Sequence, residues 1–101
     1  MKVRLSGAAR AYILREAKYL TDRSPAAGTA FLKTMQSARQ QLSQFPEIGF
    51  QPSAVRGSRR LIAGDYVIDY DVGRYAIDIS SIRHGRQSDG DLPLDDNFDY
   101  E

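Results

Sequence analysis

The sequence has no cysteine, a single histidine, only three lysines and no apolar run long enough to cross a bilayer. Without cysteine there can be no disulfide and no thiolate metal ligand, which fits a reducing compartment. The opening MKVRLSGAAR lacks the apolar stretch of a signal peptide, so the expectation is a cytoplasmic protein with no membrane partner. At 101 residues the chain has room for one small domain and little for a deep active-site cleft. No metal, cofactor or small-molecule ligand is expected.

What is present is unevenly charged. Residues 1–86 hold all 14 Lys and Arg but only seven of the 13 acids, a net +7, whereas residues 87–101 hold the other six acids and no base. A basic body therefore ends in an acidic tail. The division expected is a folded domain over 1–87 followed by a tail over 88–101.

The most ordered pattern lies between Gly57 and Gln87. Tyr66, Ile68, Tyr70 and Val72 recur at every second residue, as do Ile77 and Ile79, which puts each set on one face of a strand. Asp69, Asp71, Asp78 and Ser80 take the opposite phase, so one sheet face meets a core and the other meets water. With turns at Gly64-Asp65 and Val72-Gly73-Arg74, glycine supplying a positive φ, the stretch reads as a three-strand meander over 59–63, 66–72 and 75–82.

Upstream, Val3 and Leu5 mark a short first strand, and Ser6 suits the N-cap of a helix. That helix carries the stripe Ala9, Ile13, Ala17 and Leu20, widened by Tyr12 and Tyr19. Ser24-Pro25 starts a second helix whose stripe is Ala27, Phe31, Met35, Ala38, Leu42 and Phe45, closed by Pro46 and Gly49. Gly28 within it permits a close helix contact or marks a loose first turn. The order β-α-α-β-β-β predicts an α+β two-layer domain, an antiparallel helix pair covering the apolar face of a mainly antiparallel sheet.

Four stretches, at 5–20 (LSGAARAYILREAKYL), 44–49 (QFPEIG), 57–72 (GSRRLIAGDYVIDYDV) and 78–87 (DISSIRHGRQ), together resemble the RelE/ParE superfamily of toxins from bacterial type II toxin–antitoxin modules. The resemblance implies a RelE/ParE-like fold, a cognate antitoxin as partner, and one of two targets. RelE-like members cut messenger RNA in the ribosome, and ParE-like members poison DNA gyrase. The lysine- and arginine-rich nuclease set is not evident here, because Lys2, Lys18 and Lys33 all precede the meander and Tyr100 lies in the acidic tail. The IRHGRQ ending is closer to the ParE-like branch, so the leading expectation is a non-enzymatic gyrase inhibitor.

Two alternatives stay open. One is a ribonuclease in which His84 works with Arg59, Arg60 and Arg83, since 2′-hydroxyl attack needs a base, an acid and cations for the phosphate. The other is a toxin-like protein that only binds its antitoxin. Arg59, Arg60, Arg83, His84 and Arg86 are the expected target-facing set, because clustered guanidiniums suit acidic partners. Arg83 shares the phase of Ile77, Ile79 and Ser81 yet lies beyond the apolar run, where the helices no longer cover the sheet. Tyr12, Tyr19 and Phe50 are the expected antitoxin contacts, and Tyr66, Tyr70 and Tyr75 read as half-buried sheet residues. Leu92, Leu94, Phe98 and Tyr100 would let the tail fold onto the basic surface.

Overall fold

Six elements run in the order β1 (Lys2–Leu5), α1 (Gly7–Arg23), α2 (Pro25–Gln44), β2 (Ser58–Ala63), β3 (Tyr66–Val72) and β4 (Ala76–His84) in a computed structural model that describes residues 1–52 and 57–86. The strands form one sheet in the order β1-β4-β3-β2. The meander is antiparallel, and β1 pairs with β4 in parallel. A parallel pair requires a crossover, and the two helices supply it.

Ser6 ties three elements together. Its backbone N–H donates to the Ile79 carbonyl at 2.9 Å, its hydroxyl donates to the Ser80 carbonyl at 2.9 Å, and the same oxygen accepts the Ala9 N–H at 3.0 Å. The N-cap thereby fixes the angle at which α1 leaves the sheet. Ser24 repeats the device on α2, accepting the Ala27 N–H at 3.3 Å with Pro25 in the first turn. Gly28 is the close helix contact: a Cβ there would lie 3.1 Å from the Thr21 Cα, so α1 and α2 touch almost backbone to backbone.

One continuous core fills the space between helices and sheet, with Tyr70, Leu42, Ile68 and Ile77 its largest fully buried side chains. The α2 stripe is buried from Phe31 to Leu42, but Phe45 is 60% exposed. It is the C-cap residue, where the backbone has already left helical geometry, so the periodicity no longer aims it inward. Tyr75 is likewise solvent-exposed, because it stands in the turn before β4 rather than on the strand, while Tyr66 and Tyr70 are buried outright.

The turns also differ in detail from expectation. Gly64 takes φ +60° as the β2–β3 turn requires, whereas among the described residues the other positive-φ glycine is Gly57 at +87°, before β2, and not Gly73. The β3–β4 connection closes through the Gly73 N–H on the Ala76 carbonyl at 2.9 Å without a left-handed residue at that glycine.

A bulge decides which side chains β4 shows to each face. Asp69 pairs with Ser81 but Tyr70 pairs with Ile79, leaving Ser80 as an extra residue. One inserted residue reverses the alternation. Ile77 and Ile79 face the helices before it; after it Ile82 and His84 do, and Arg83 emerges on the open face with Ser81. Arg83 therefore does not share the phase of Ile77 and Ile79.

Candidate functional site

The candidate side chains separate into three places. Arg59 and Arg60 are neighbours on β2 and so point to opposite faces. Arg59 lies on the side of buried Leu61 and donates to the backbone carbonyls of Gly49 at 2.7 Å and Glu47 at 3.3 Å. It holds the chain segment after α2 in place.

On the open face, Arg60 grips Asp69 through Nε at 2.7 Å and Nη2 at 3.3 Å, and Arg83 reaches the same carboxylate at 2.9 Å. Ser81 Oγ adds a contact to Asp69 Oδ2 at 3.2 Å. Burial alone would raise the Asp69 pKa, but hydrogen bonds from Arg60 and Arg83 outweigh it and hold the carboxyl below its ordinary range. Two guanidiniums thus converge on one partly buried carboxylate, which fixes their orientation on the open face.

This arrangement carries a pH prediction. The folded carboxyl keeps its charge to lower pH than the unfolded one, whose pKa is about 4. The stabilisation is complete above that value and is lost as pH falls through the lowered folded pKa. Asp69→Asn should cost about 1–3 kcal/mol at pH 7 and flatten the stability profile below about pH 4, as urea titrations at both pH values would measure.

The third place is a cleft of about 710 Å³ where α1, α2 and the β2–β3 turn meet the end of β4. Its walls include Tyr12, Glu16, Tyr19, Phe31, Tyr66 and His84, with Arg86 also lining it. The cleft is an open surface depression and not a deep enclosed cavity. Tyr66 is its centre. Its ring lies 4.9 Å from Phe31, 5.3 Å from His84 and 6.4 Å from Tyr12, and its hydroxyl donates to Glu16 Oε2 at 2.6 Å. Arg15 stands 6.0 Å from the Tyr12 ring and Arg23 3.7 Å from that of Tyr19, giving the aromatic walls cationic neighbours.

Both central phenols are held in the neutral form. Burial and the Glu16 carboxylate push Tyr12 up to about 12 and raise Tyr66 as well, so both keep their protons further into the alkaline range than an exposed tyrosine does. His84 Nδ1 accepts the Arg86 N–H at 3.2 Å, capping the turn that follows β4. Among the described residues no group of three or more His, Asp or Glu could hold a metal ion.

Of the expected target-facing set, the structure brings together Arg60 with Arg83 on the open face and His84 with Arg86 at the cleft, and it sets Arg59 apart. Of the expected antitoxin contacts, Tyr12 and Tyr19 share the cleft, while Phe50 lies at the far sheet edge in a bridge to Arg60, with N–H···O distances of 2.9 and 2.7 Å. The tail over 88–101 lies outside the described residues. Glu16 and Asp69 escaped the sequence reading. The Glu16 signal was its place four residues after Tyr12, on the same helix face. Asp69 depends on cross-strand register, which no local pattern reveals.

Comparison with protein-family models matches residues 3–89 to the ParE toxin of the type II toxin–antitoxin system, parDE. Among solved structures, a chain of a chromosomal ParDE TA system from P. aeruginosa superposes with a TM-score of 0.69 at 18% identity, covering 83% of this chain and 95% of that one. At that identity the likeness is one of fold. Comparison with curated proteins gives no match. Among the described residues no helix is long and apolar enough to cross a membrane.

Proposed function

Because the chain belongs to the ParE toxin family of type II toxin–antitoxin systems, we propose that it acts by inhibiting DNA gyrase and is neutralised by a cognate antitoxin seated in the Tyr12–Tyr66 cleft. The observation that carries a binding mechanism over messenger-RNA cleavage is the separation of the nuclease candidates. Arg60 and Arg83 engage Asp69 on the open face of the sheet, and His84 lies on the helix side of the same sheet with Nδ1 committed to a turn. A phosphate held by those guanidiniums would have the sheet between it and the imidazole.

The aromatic cleft suits an apolar segment of an antitoxin, and oriented guanidiniums on the open face suit an acidic target surface. A histidine variant tests the choice. Removing a general base costs about 10²–10⁴-fold in rate. His84→Gln should leave growth arrest by the expressed protein close to the parent's, with a melting curve confirming the fold; loss of toxicity in a folded variant would instead support the ribonuclease.

A further inference from the structure

We infer that residues 88–101 are a built-in ligand of the cleft, occupying it when no antitoxin is bound. The inference rests on the antitoxin-in-cleft reading for its regulatory meaning, though not for its geometry.

Three observations support it. First, the chain leaves the domain at the cleft. Gly85 N–H donates to the Asp65 carbonyl at 2.6 Å and Arg86 N–H to His84 Nδ1 at 3.2 Å, and His84, Asp65 and Arg86 all line the cavity. Whatever follows Arg86 starts at the site, so little loop-closure entropy opposes its entry. Leu92 and Leu94 follow by six and eight residues, an extended reach of at most about 22 and 29 Å.

Second, the chemistries match. The segment interleaves Leu92, Leu94, Phe98 and Tyr100 with six acids and no base. The cleft offers apolar and aromatic surface on Tyr12, Tyr19, Leu20 and Phe31, with Arg15, Arg23 and Arg86 around it. The opposing acids are Glu16, engaged by the Tyr66 hydroxyl, and Asp65.

Third, the open-face guanidiniums each hold a carboxylate of the domain itself. Arg60 and Arg83 share Asp69, and Arg4 is paired with Asp78 at 2.7 Å. Arg86, after which the tail begins, itself lines the cleft, so the cleft is the surface the tail meets first. Tethering supplies an effective concentration on the order of mM, so even a weak intrinsic affinity keeps the cleft substantially occupied. An incoming antitoxin then binds with an apparent affinity reduced by the fraction of open cleft. Deleting 88–101 should strengthen antitoxin binding about two- to tenfold.

The absence of cysteine makes the test clean. A nitroxide on Asn97→Cys in the full chain, without antitoxin, should broaden amide resonances of α1 near Tyr19 and α2 near Phe31, and a companion carrying Leu92→Ser, Leu94→Ser and Phe98→Ser should lose that broadening. Broadening that is absent, centred on Arg60 and Arg83, or unchanged in the companion overturns the inference. None of these outcomes involves antitoxin, so each leaves the antitoxin reading standing. That reading fails separately if Tyr19→Ala and Leu20→Ser leave antitoxin affinity unchanged.

Discussion

Gly49→Ala should lower stability by roughly 2–4 kcal/mol, from overpacking and a displaced buried hydrogen bond. A Cβ at this position would stand 2.5 Å from the Arg60 carbonyl oxygen, 2.8 Å from its carbon and 2.8 Å from the Tyr70 hydroxyl. Neither neighbour can retreat. The Arg60 carbonyl is backbone held in the bridge to Phe50, and the Tyr70 ring is fully buried, its hydroxyl accepting the Gly49 N–H at 2.9 Å. Relief would require the segment after α2 to lift off β2, which would also pull the Gly49 carbonyl from Arg59. For a domain of this size such a loss corresponds to roughly 10–25 °C in melting temperature, so the variant is expected to be marginal at 37 °C. Tyr70→Phe separates the two contributions, since it removes only the hydrogen-bond acceptor and should cost about 1 kcal/mol. A Gly49→Ala melt within 2–3 °C of the parent would show that the contact yields easily, contrary to this account.

Tyr66→Ala should cost about 3–5 kcal/mol and empty the centre of the cleft, because one ring supports Tyr12, Phe31 and His84 together. Tyr66→Phe keeps the ring and loses only the bond to Glu16, so its expected cost is about 1 kcal/mol. Equal losses in the two variants would mean that the hydroxyl and not the ring organises the site. Alkaline titration gives an independent check. Unfolded tyrosine ionises near 10, whereas Tyr12 holds its proton to about 12 in the fold, so stability should decline as pH rises between those values.

Much of this architecture was legible in the sequence, and the reason is local periodicity. The Tyr66–Val72 alternation and the Ser6 and Ser24 caps act over a few residues, and the fold uses them as written. Where geometry depends on partners distant in sequence, the pattern misleads. Ser80 looks like one more strand residue, yet its bulge against β3 turns Arg83 outward and His84 inward, dividing a run that looked like a single basic site. Arg59 and Arg60 divide for a simpler reason, strand alternation, which the apparent basic cluster obscured. The cleft was half visible, since Tyr12 and Tyr19 lie on α1 near its stripe, but Phe31 and Tyr66 join them only through packing of α2 and β3.

The division has a functional consequence. With nuclease candidates on opposite faces, the molecule presents two separate surfaces, an aromatic cleft and a guanidinium face, and the proposed function uses one for the antitoxin and the other for the target. That account is tested most directly by adding purified chain, its fold verified by melting, to DNA gyrase with ATP and relaxed plasmid. Loss of supercoiling or accumulation of cleaved plasmid, reversed by the cognate antitoxin, is the result predicted; full gyrase activity in the presence of excess folded chain would contradict it.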